Sequence, residues 1–146
     1  MFKSVVAFYG LVFVLAAGGS VWAAVPISTI QRWQEAAPEV VGITVLSVDQ
    51  ISSTRPYVEL RPEGSVTTLN LSVNAKVDVV HRTASGLAPE TTIVIQYSAR
   101  RYKPVSPPDG NYGIILDISQ KAKAYLKKKA ENTYELACDV GCLETL

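Results

Sequence analysis

Polar and apolar residues alternate through the centre of the chain. From residue 69 to residue 81 every second position is apolar or nearly so, and the positions between them, Val80 apart, are polar. Successive side chains of a strand point to opposite faces, so a period of two predicts a strand with one buried and one solvated face. The positions in the buried register are Leu69, Leu71, Val73, Ala75, Val77, Val79 and His81.

A second run, from Thr91 to Tyr102, is rich in β-branched and aromatic residues, which favour strands. Residues 83–90 separate the two runs and include Gly86 and Pro89, a composition typical of a loop. Two strands with a short connection pair most simply as an antiparallel hairpin. We predict that this hairpin organises the domain.

The stretch before the hairpin predicts one helix and one strand. Apolar residues at helical spacing predict a helix over Pro26–Ala37, with Ser28 as its N-cap and Trp33 closing one end of the core. A β-branched run, 40–48, predicts a strand in which Gly42 marks a bulge or a close approach.

Shorter elements complete the pattern. We expect a polar loop over 49–55, a short strand over 56–61 and a turn over 62–65. Three prolines and an Asp-Gly pair predict a surface loop over 103–110. Alternation returns over 112–118, which predicts another strand.

Residues 121–130 are open to two interpretations. Their Ala, Lys and Leu content favours a helix with Ser119 as N-cap, whereas their alternation favours a strand. Glu131 and Asn132 then resemble a turn, and alternation resumes over 133–137. We predict a hairpin. The domain, 24–146, is then all-β: an OB-like Greek-key barrel of about five to seven strands with a short N-terminal helix, the alternative being a β-sandwich.

The first 23 residues predict a signal peptide. Lys3 precedes an apolar stretch, 5–17, and Ala23 is the expected cleavage position. The protein is then secreted or periplasmic. The alternative is an uncleaved anchor, and the chain would then be a membrane-bound accessory subunit.

Two cysteines, Cys138 and Cys142, lie close together near the C-terminus. In an oxidising compartment they predict a disulfide, which by the loop-length relation stabilises a fold by about 2 kcal/mol. Free or intermolecular thiols are the alternative. A redox-active pair normally has two residues between its cysteines, and this pair has three.

The second half of the chain resembles the netrin-like OB-fold modules, the group that includes the tissue inhibitors of metalloproteinases. The residues that carry this resemblance are VNAKVDVV at 73–80, TTIVIQY at 91–97, AYL at 124–126 and YELA at 134–137. The resemblance implies an OB barrel and favours the hairpin at 121–130. It implies no inhibitory activity, because the predicted mature N-terminus lacks the family's zinc-chelating cysteine.

Catalytic signatures are sparse. His81 is the only histidine, no metal-ligand spacing is present, and neither a G-x-S-x-G turn nor a Gly-rich phosphate loop occurs. We predict no cofactor, and a small secreted hydrolase that uses His81 is the alternative function. The near-neutral net charge of +1 argues against a dedicated nucleic-acid-binding protein.

Charge is segregated along the chain. Residues 100–129 carry eight basic and two acidic side chains, whereas residues 130–146 carry four acidic ones and no base. On a strand, the odd residues from Lys121 to Lys129 share a face, which predicts a basic ridge with aromatic spacers. The alternative is a solvated face that prevents edge-to-edge aggregation. The predicted binding residues are Arg100, Arg101, Lys121, Lys123, Tyr125 and Lys127.

This ridge leads to a functional expectation. We expect an exported, non-catalytic binding or assembly module that recognises an acidic protein, an anionic glycan or lipid headgroups.

Overall fold

Three long antiparallel strands form the frame of the domain. The computed structural model describes residues 25–56, 64–103 and 113–146. In this part of the chain β1 pairs with β2 along its whole length, and β2 pairs with β3. The elements are α1 (Ile27–Ala36), β1 (Glu39–Pro56), β2 (Ser65–Arg82), β3 (Thr92–Lys103), β4 (Lys121–Ala130), β5 (Thr133–Leu136) and β6 (Leu143–Thr145).

The sheet closes into a barrel of five strands. Its order is β1-β2-β3-β5-β4, and the first half of β1 returns to pair with β4, from Glu39 opposite Leu126 to Thr44 opposite Lys121. All pairs are antiparallel except β3 with β5, which is parallel. The short strand β6 pairs with β4 on the side away from β1. The predicted all-β class and OB-like barrel are confirmed, and the closed sheet rules out the sandwich.

The interior of the barrel is filled by the alternate residues that the pattern predicts. Val73, Ala75 and Val77 from β2 are fully buried, and so are Ile93 and Ile95 from β3. The β2–β3 hairpin is therefore confirmed in position and in register. The strand prediction for 121–130 is also confirmed, because its Ala122, Ala124 and Leu126 complete the same core.

The buried register of β2 changes at its C-terminal end, which corrects the prediction for Val79 and His81. Ile43 lies opposite Val77 but Gly42 lies opposite Val79, so Asp78 is an extra residue in β2. A bulge of this kind reverses the alternation. Val80 therefore packs against the core, while Val79 is 49 % exposed and His81 is exposed.

The first strand is much longer than predicted. Residues 49–55 were expected to be a loop, yet they continue β1 and pair in register with residues 66–72 of β2. A partner strand of equal length satisfies the backbone there, so tertiary pairing overrides the polar composition. The predicted strand at 56–61 lies, Pro56 apart, outside the described residues, as does the first half of the predicted turn at 62–65.

The long strands extend beyond the barrel as a three-stranded arm. We use this name for residues 47–56 of β1, 65–74 of β2 and 95–103 of β3. The arm begins where a second irregularity, between Val45 and Ser47, leaves Leu46 as an extra residue in β1.

The segment before β4 is not the strand that its alternation predicts. Only Leu116 enters the core, while Ile118 is 66 % exposed. The segment crosses from the arm to the barrel: the Tyr97 hydroxyl donates to the Ile114 carbonyl at 2.7 Å, and the Ser119 N–H donates to the Val45 carbonyl at 2.8 Å. The segment has these isolated hydrogen bonds instead of the regular backbone hydrogen-bond ladder of a strand. The predicted loop at 103–110 lies outside the described residues, apart from Lys103, which ends β3.

The predicted N-terminal helix is present, but it packs on the outside of the barrel. Pro26, not Ser28, occupies the N-cap, and no residue of α1 is buried. Trp33 is 38 % exposed, so the prediction that it closes the core is wrong. A helix that buries so little apolar surface depends on polar contacts to stay in place.

The C-terminal turn of α1 is held by distant residues. The Gln34 amide donates to the Gly141 carbonyl at 2.6 Å and to the Glu144 carboxylate at 2.9 Å. The Arg82 guanidinium donates to the Glu35 and Ala37 carbonyls, each at 2.7 Å, and so binds the orphan carbonyls at the helix C-terminus.

The predicted disulfide is present. Cys138 and Cys142 are bonded, with their Cα atoms 5.5 Å apart, and Cys142 is buried beneath the helix side of the barrel with Ala37 and Val40. This bond is typical of proteins from oxidising compartments. Among the described residues, no helix has the length and apolar character needed to cross a bilayer. The predicted signal peptide lies outside the described residues.

The contact between α1 and the disulfide loop predicts a position-specific cost. Gly141 has φ of +78°, and a methyl group there would overlap Ile30 Cγ2. Gly86 has a similar φ of +81° but open space around it. We expect Gly86→Ala to lower the free energy of unfolding by about 1 kcal/mol, the backbone cost alone. Gly141→Ala should cost about 1–3 kcal/mol more.

Urea unfolding of the two variants, monitored by circular dichroism, measures the difference. Equal losses would show that α1 does not rest on Gly141.

Burial of the Tyr97 phenol predicts a loss of stability at high pH. Burial raises the pKa of Tyr97 from 10.0 to about 12. Between these values the unfolded chain has lost a proton that the folded chain keeps, so the free energy of unfolding falls as pH rises. Tyr97→Phe should cost about 1 kcal/mol at neutral pH through the lost hydrogen bond. It should also make the decline between pH 10 and 12 shallower. Denaturant titrations across this range test it, and parallel curves for the two proteins would contradict it.

Candidate functional site

A polar trough crosses the outer face of the barrel at the base of the arm. Because the inward positions of β2 and β3 are apolar, the residues between them point outward and bring hydroxyl and amide groups to one face. The trough has a volume of about 440 Å³, within the range of small-ligand sites. Its outward side chains are Asp49 and Ile51 of β1, Asn70 and Ser72 of β2, and Gln96 and Ser98 of β3, with Lys129 and Glu135 at the rim.

Hydrogen bonds fix the floor and one wall of the trough. The Ser98 hydroxyl donates to the Asn70 carbonyl oxygen at 2.8 Å, across the β2–β3 ladder. The Lys129 ammonium donates to the Gln96 carbonyl oxygen at 3.0 Å, which places a cation over the rim. The Ser72 hydroxyl has no hydrogen-bond partner within the described residues, so it is available to a ligand.

Lysines from β4 reach this rim. Lys127 forms an ion pair with Glu135 of β5 at 3.1 Å, and the two side chains are about half exposed. Lys129 lies on the same side of the strand and makes no ion pair within the described residues. Lys129 is therefore the cation at this rim that no carboxylate pairs with, and Asp49 is the unpaired carboxylate among the residues that line the trough.

Two other predicted binding residues, Lys123 and Tyr125, lie beside α1. The Lys123 ammonium lies 5.2 Å from the centre of the Tyr125 ring, a cation–π contact. Tyr125 is only 8 % exposed because Ala37, Val40 and Cys142 pack around it. It is a packing residue on the outer face of β4 rather than an exposed aromatic spacer.

A groove of about 400 Å³ runs past these residues between α1 and the barrel. Its cations are already engaged, since Arg82 binds helix carbonyls and Lys123 covers the Tyr125 ring. The exposed His81 also lies along it. The groove is therefore less suited to an anion than the rim of the trough.

The predicted arginines belong to the arm. Arg101 donates to the Gly113 carbonyl at 3.2 Å, and Arg100 is exposed opposite Thr68. Thr68 in turn lies opposite Ser53 of β1, whereas Lys121 lies opposite Thr44. Thr44 and Ser53 are nine positions apart on β1, which is roughly 30 Å along the strand.

The structure therefore does not bring the six predicted residues together. Lys123 and Tyr125 lie beside α1, and Lys121 lies at the start of β4 opposite Thr44. Lys127 lies at the rim, and the arginines lie in the arm. Arg100 nevertheless shares the outer face of β3 with Gln96 and Ser98, so it stands beyond the trough at the end opposite Lys129. Lys129 belongs to the predicted ridge but is not one of the six predicted binding residues. The trough was not predicted, although the polar register of β2 and β3 signals it.

Another lysine is neutralised within the sheet. Lys76 lies 3.5 Å from both Asp78 and Glu90, and these carboxylates, Glu90 first, raise its pKa. Asp78 also accepts a hydrogen bond from the Thr44 hydroxyl at 2.5 Å. This cluster stabilises the bulge and leaves no unpaired cation there.

A buried carboxylate was missed by the sequence analysis. Glu39 is 1 % exposed; one of its oxygens accepts the Ser85 N–H at 2.8 Å, and the other has no partner among the described residues. It ties the β2–β3 loop to the start of β1. Its position directly before an apolar run was the only signal of burial.

The described residues contain no metal-binding cluster. No group of three His, Cys, Asp or Glu side chains is close enough to hold a metal ion in this part of the chain. His81 is exposed at the end of β2, and the two cysteines are bonded to each other in the disulfide.

The comparisons with known proteins identify no family for this chain. No protein-family model matches the chain, and no curated protein is significantly similar to it.

Proposed function

We propose that this protein is a non-catalytic binding module of an oxidising, extracytoplasmic compartment, and that its trough binds an anionic polysaccharide. The observation that carries the proposal is the arrangement of the outer face, where hydroxyl and amide groups lie between two cations, Lys129 and Arg100. The disulfide supports the compartment.

The fold supports this choice of surface. OB barrels bind oligosaccharides and oligonucleotides on the face of strands 2 and 3 and on the loop between strands 4 and 5. The trough lies on that face, and Lys129 comes from the end of β4 next to that loop. Among the described residues that line the trough, no aromatic side chain points outward, and the chain is near neutral, which fits a glycan better than a nucleic acid.

The chemistry of the lining favours a sugar that carries carboxylate or sulfate groups. Ser72, Ser98 and Asn70 provide short donors and acceptors that suit hydroxyl groups, and the carboxylate of Asp49 can accept from them. Four strand positions separate Gln96, beside Lys129, from Arg100, a distance of about 13 Å. Two cations at this spacing fit an oligomer rather than a single sugar.

Charge reversal at either end of the trough tests the proposal. Oligogalacturonate titrated into the protein at low salt should bind with an affinity that falls as salt rises. Lys129→Glu and Arg100→Glu should each weaken binding by about five- to tenfold, since each replaces an attraction with a repulsion. Isothermal titration calorimetry gives the affinities.

Matched controls separate the trough from net charge. Lys121→Glu and Arg32→Glu change the charge equally, but Arg32 lies on α1 and Lys121 lies at the opposite end of β4 from Lys129. They should leave the affinity within about twofold. If the control variants lose as much affinity as the trough variants, binding results from diffuse charge attraction. If a neutral glucan binds as tightly as oligogalacturonate, the two cations do not contribute to recognition. An absence of oligogalacturonate binding refutes the proposed ligand.

A further inference from the structure

One edge of the arm is unpaired. The edge of β1 that faces away from β2 pairs with β4 only from Glu39 to Thr44, and Val45 then bonds to residues 119–120. From Ser47 to Pro56 this edge has no backbone partner within the described part of the chain. Every residue from 49 to 56 is exposed. The edge therefore presents a row of unsatisfied N–H and C=O groups to solvent.

The centre of this edge, residues 50–54, lacks the features that usually protect such strands. Proteins place lysines, prolines or bulges on exposed edges. Residues 50–54 contain no charge and no proline, and they stay in regular register with β2. The opposite edge of the arm, on β3, is different: it carries Arg100 and Lys103, and the Gly113 backbone lies against Ala99.

The sequence of this edge is complementary to itself. In an antiparallel pair of two copies centred on Ser52, Asp49 of one copy lies opposite Arg55 of the other, and the reverse pair forms as well. Neither side chain has an ion-pair partner within the described residues. Asp49 and Arg55 differ by an even number of positions, so they point to the same face. Within 49–55, no other antiparallel register places opposite charges opposite each other.

The same register covers an exposed apolar side chain. Ile51 is 74 % exposed on the outer face. Around Ser52 it lies opposite Ser53 of the second copy and diagonal to that copy's Ile51, within reach of a long side chain. The two isoleucines therefore shield each other from water.

We propose that two copies of this chain pair through the β1 edges of their arms and form a continuous six-stranded antiparallel sheet. Pairing of residues 49–55 adds about six to eight backbone hydrogen bonds, roughly one per paired residue. The inference depends on the fold and not on the proposed ligand. Since Asp49 and Ile51 also line the trough, the pairing brings the two troughs side by side and adds the second copy's Arg55 to each rim.

Charge reversal and its rescue test the register. Sedimentation velocity of the full chain should show a dimer whose population rises with concentration. Asp49→Arg and Arg55→Asp should each weaken it by about tenfold or more, because each places like charges opposite each other twice per dimer. The double variant Asp49→Arg/Arg55→Asp restores opposite pairs and should recover dimerisation. The proposal is overturned if the protein is a monomer at all concentrations, or if the dimer population is the same in the parent protein and in all three variants.

A cross-link locates the centre of the pair. Directly opposed residues have Cα atoms about 4.5–5.5 Å apart, which suits a disulfide. Ser52→Cys should therefore form a covalent dimer under mild oxidation. Gln50→Cys is the matched control: it is equally exposed, but in this register it lies roughly 13 Å from its own copy. Cross-linking of both variants to the same extent, or of neither, overturns the register. Circular dichroism confirms that each variant is folded.

Discussion

The whole domain depends on β1 pairing with two strands at once. Residues Val40 to Thr44 pair with β2 on one edge and with β4 on the other, and this double pairing turns an open sheet into a barrel. Such a strand must bend, and the irregularities beside Gly42 and after Val45 supply the bends. The same bends end the barrel and start the arm. The position of the trough, at the junction of the two, is thus a consequence of where β1 curves.

Much of this architecture follows from local patterns, and the parts that do not are informative. The apolar registers of β2 and β3 predicted their burial because both strands have one face in the core. The pattern over 121–130 predicted β4 against its helical composition, since only a strand places Ala122, Ala124 and Leu126 on one buried face. Residues 49–55 were mistaken for a loop because both of their faces are solvated, and a strand without a buried face has no hydrophobic period to detect.

The candidate site was less predictable than the fold for a related reason. Counting charges along the chain identified the basic region, but the distance between its members depends on sheet register, which is a tertiary property. Lys121 and Arg100 belong to the same basic stretch of the sequence, but they lie on different parts of the surface. Tyr125 shows the same limit, since its side of β4 is solvent-facing by alternation and is covered only because α1 and the disulfide loop pack there. What the sequence does contain is the polar register of β2 and β3, which forms the floor of the trough.

The attachment of α1 has a consequence for biogenesis. This helix precedes every described strand along the chain, yet its contacts are with Arg82, Gly141 and Glu144, the last two of which follow strands β1 to β5. It buries no residue of its own, so it has little reason to hold a fixed place before then. The helix can dock fully only after residues 141–144 have been synthesised. Its docking is therefore a late event, and a chain terminated before residue 141 would leave α1 accessible to proteases.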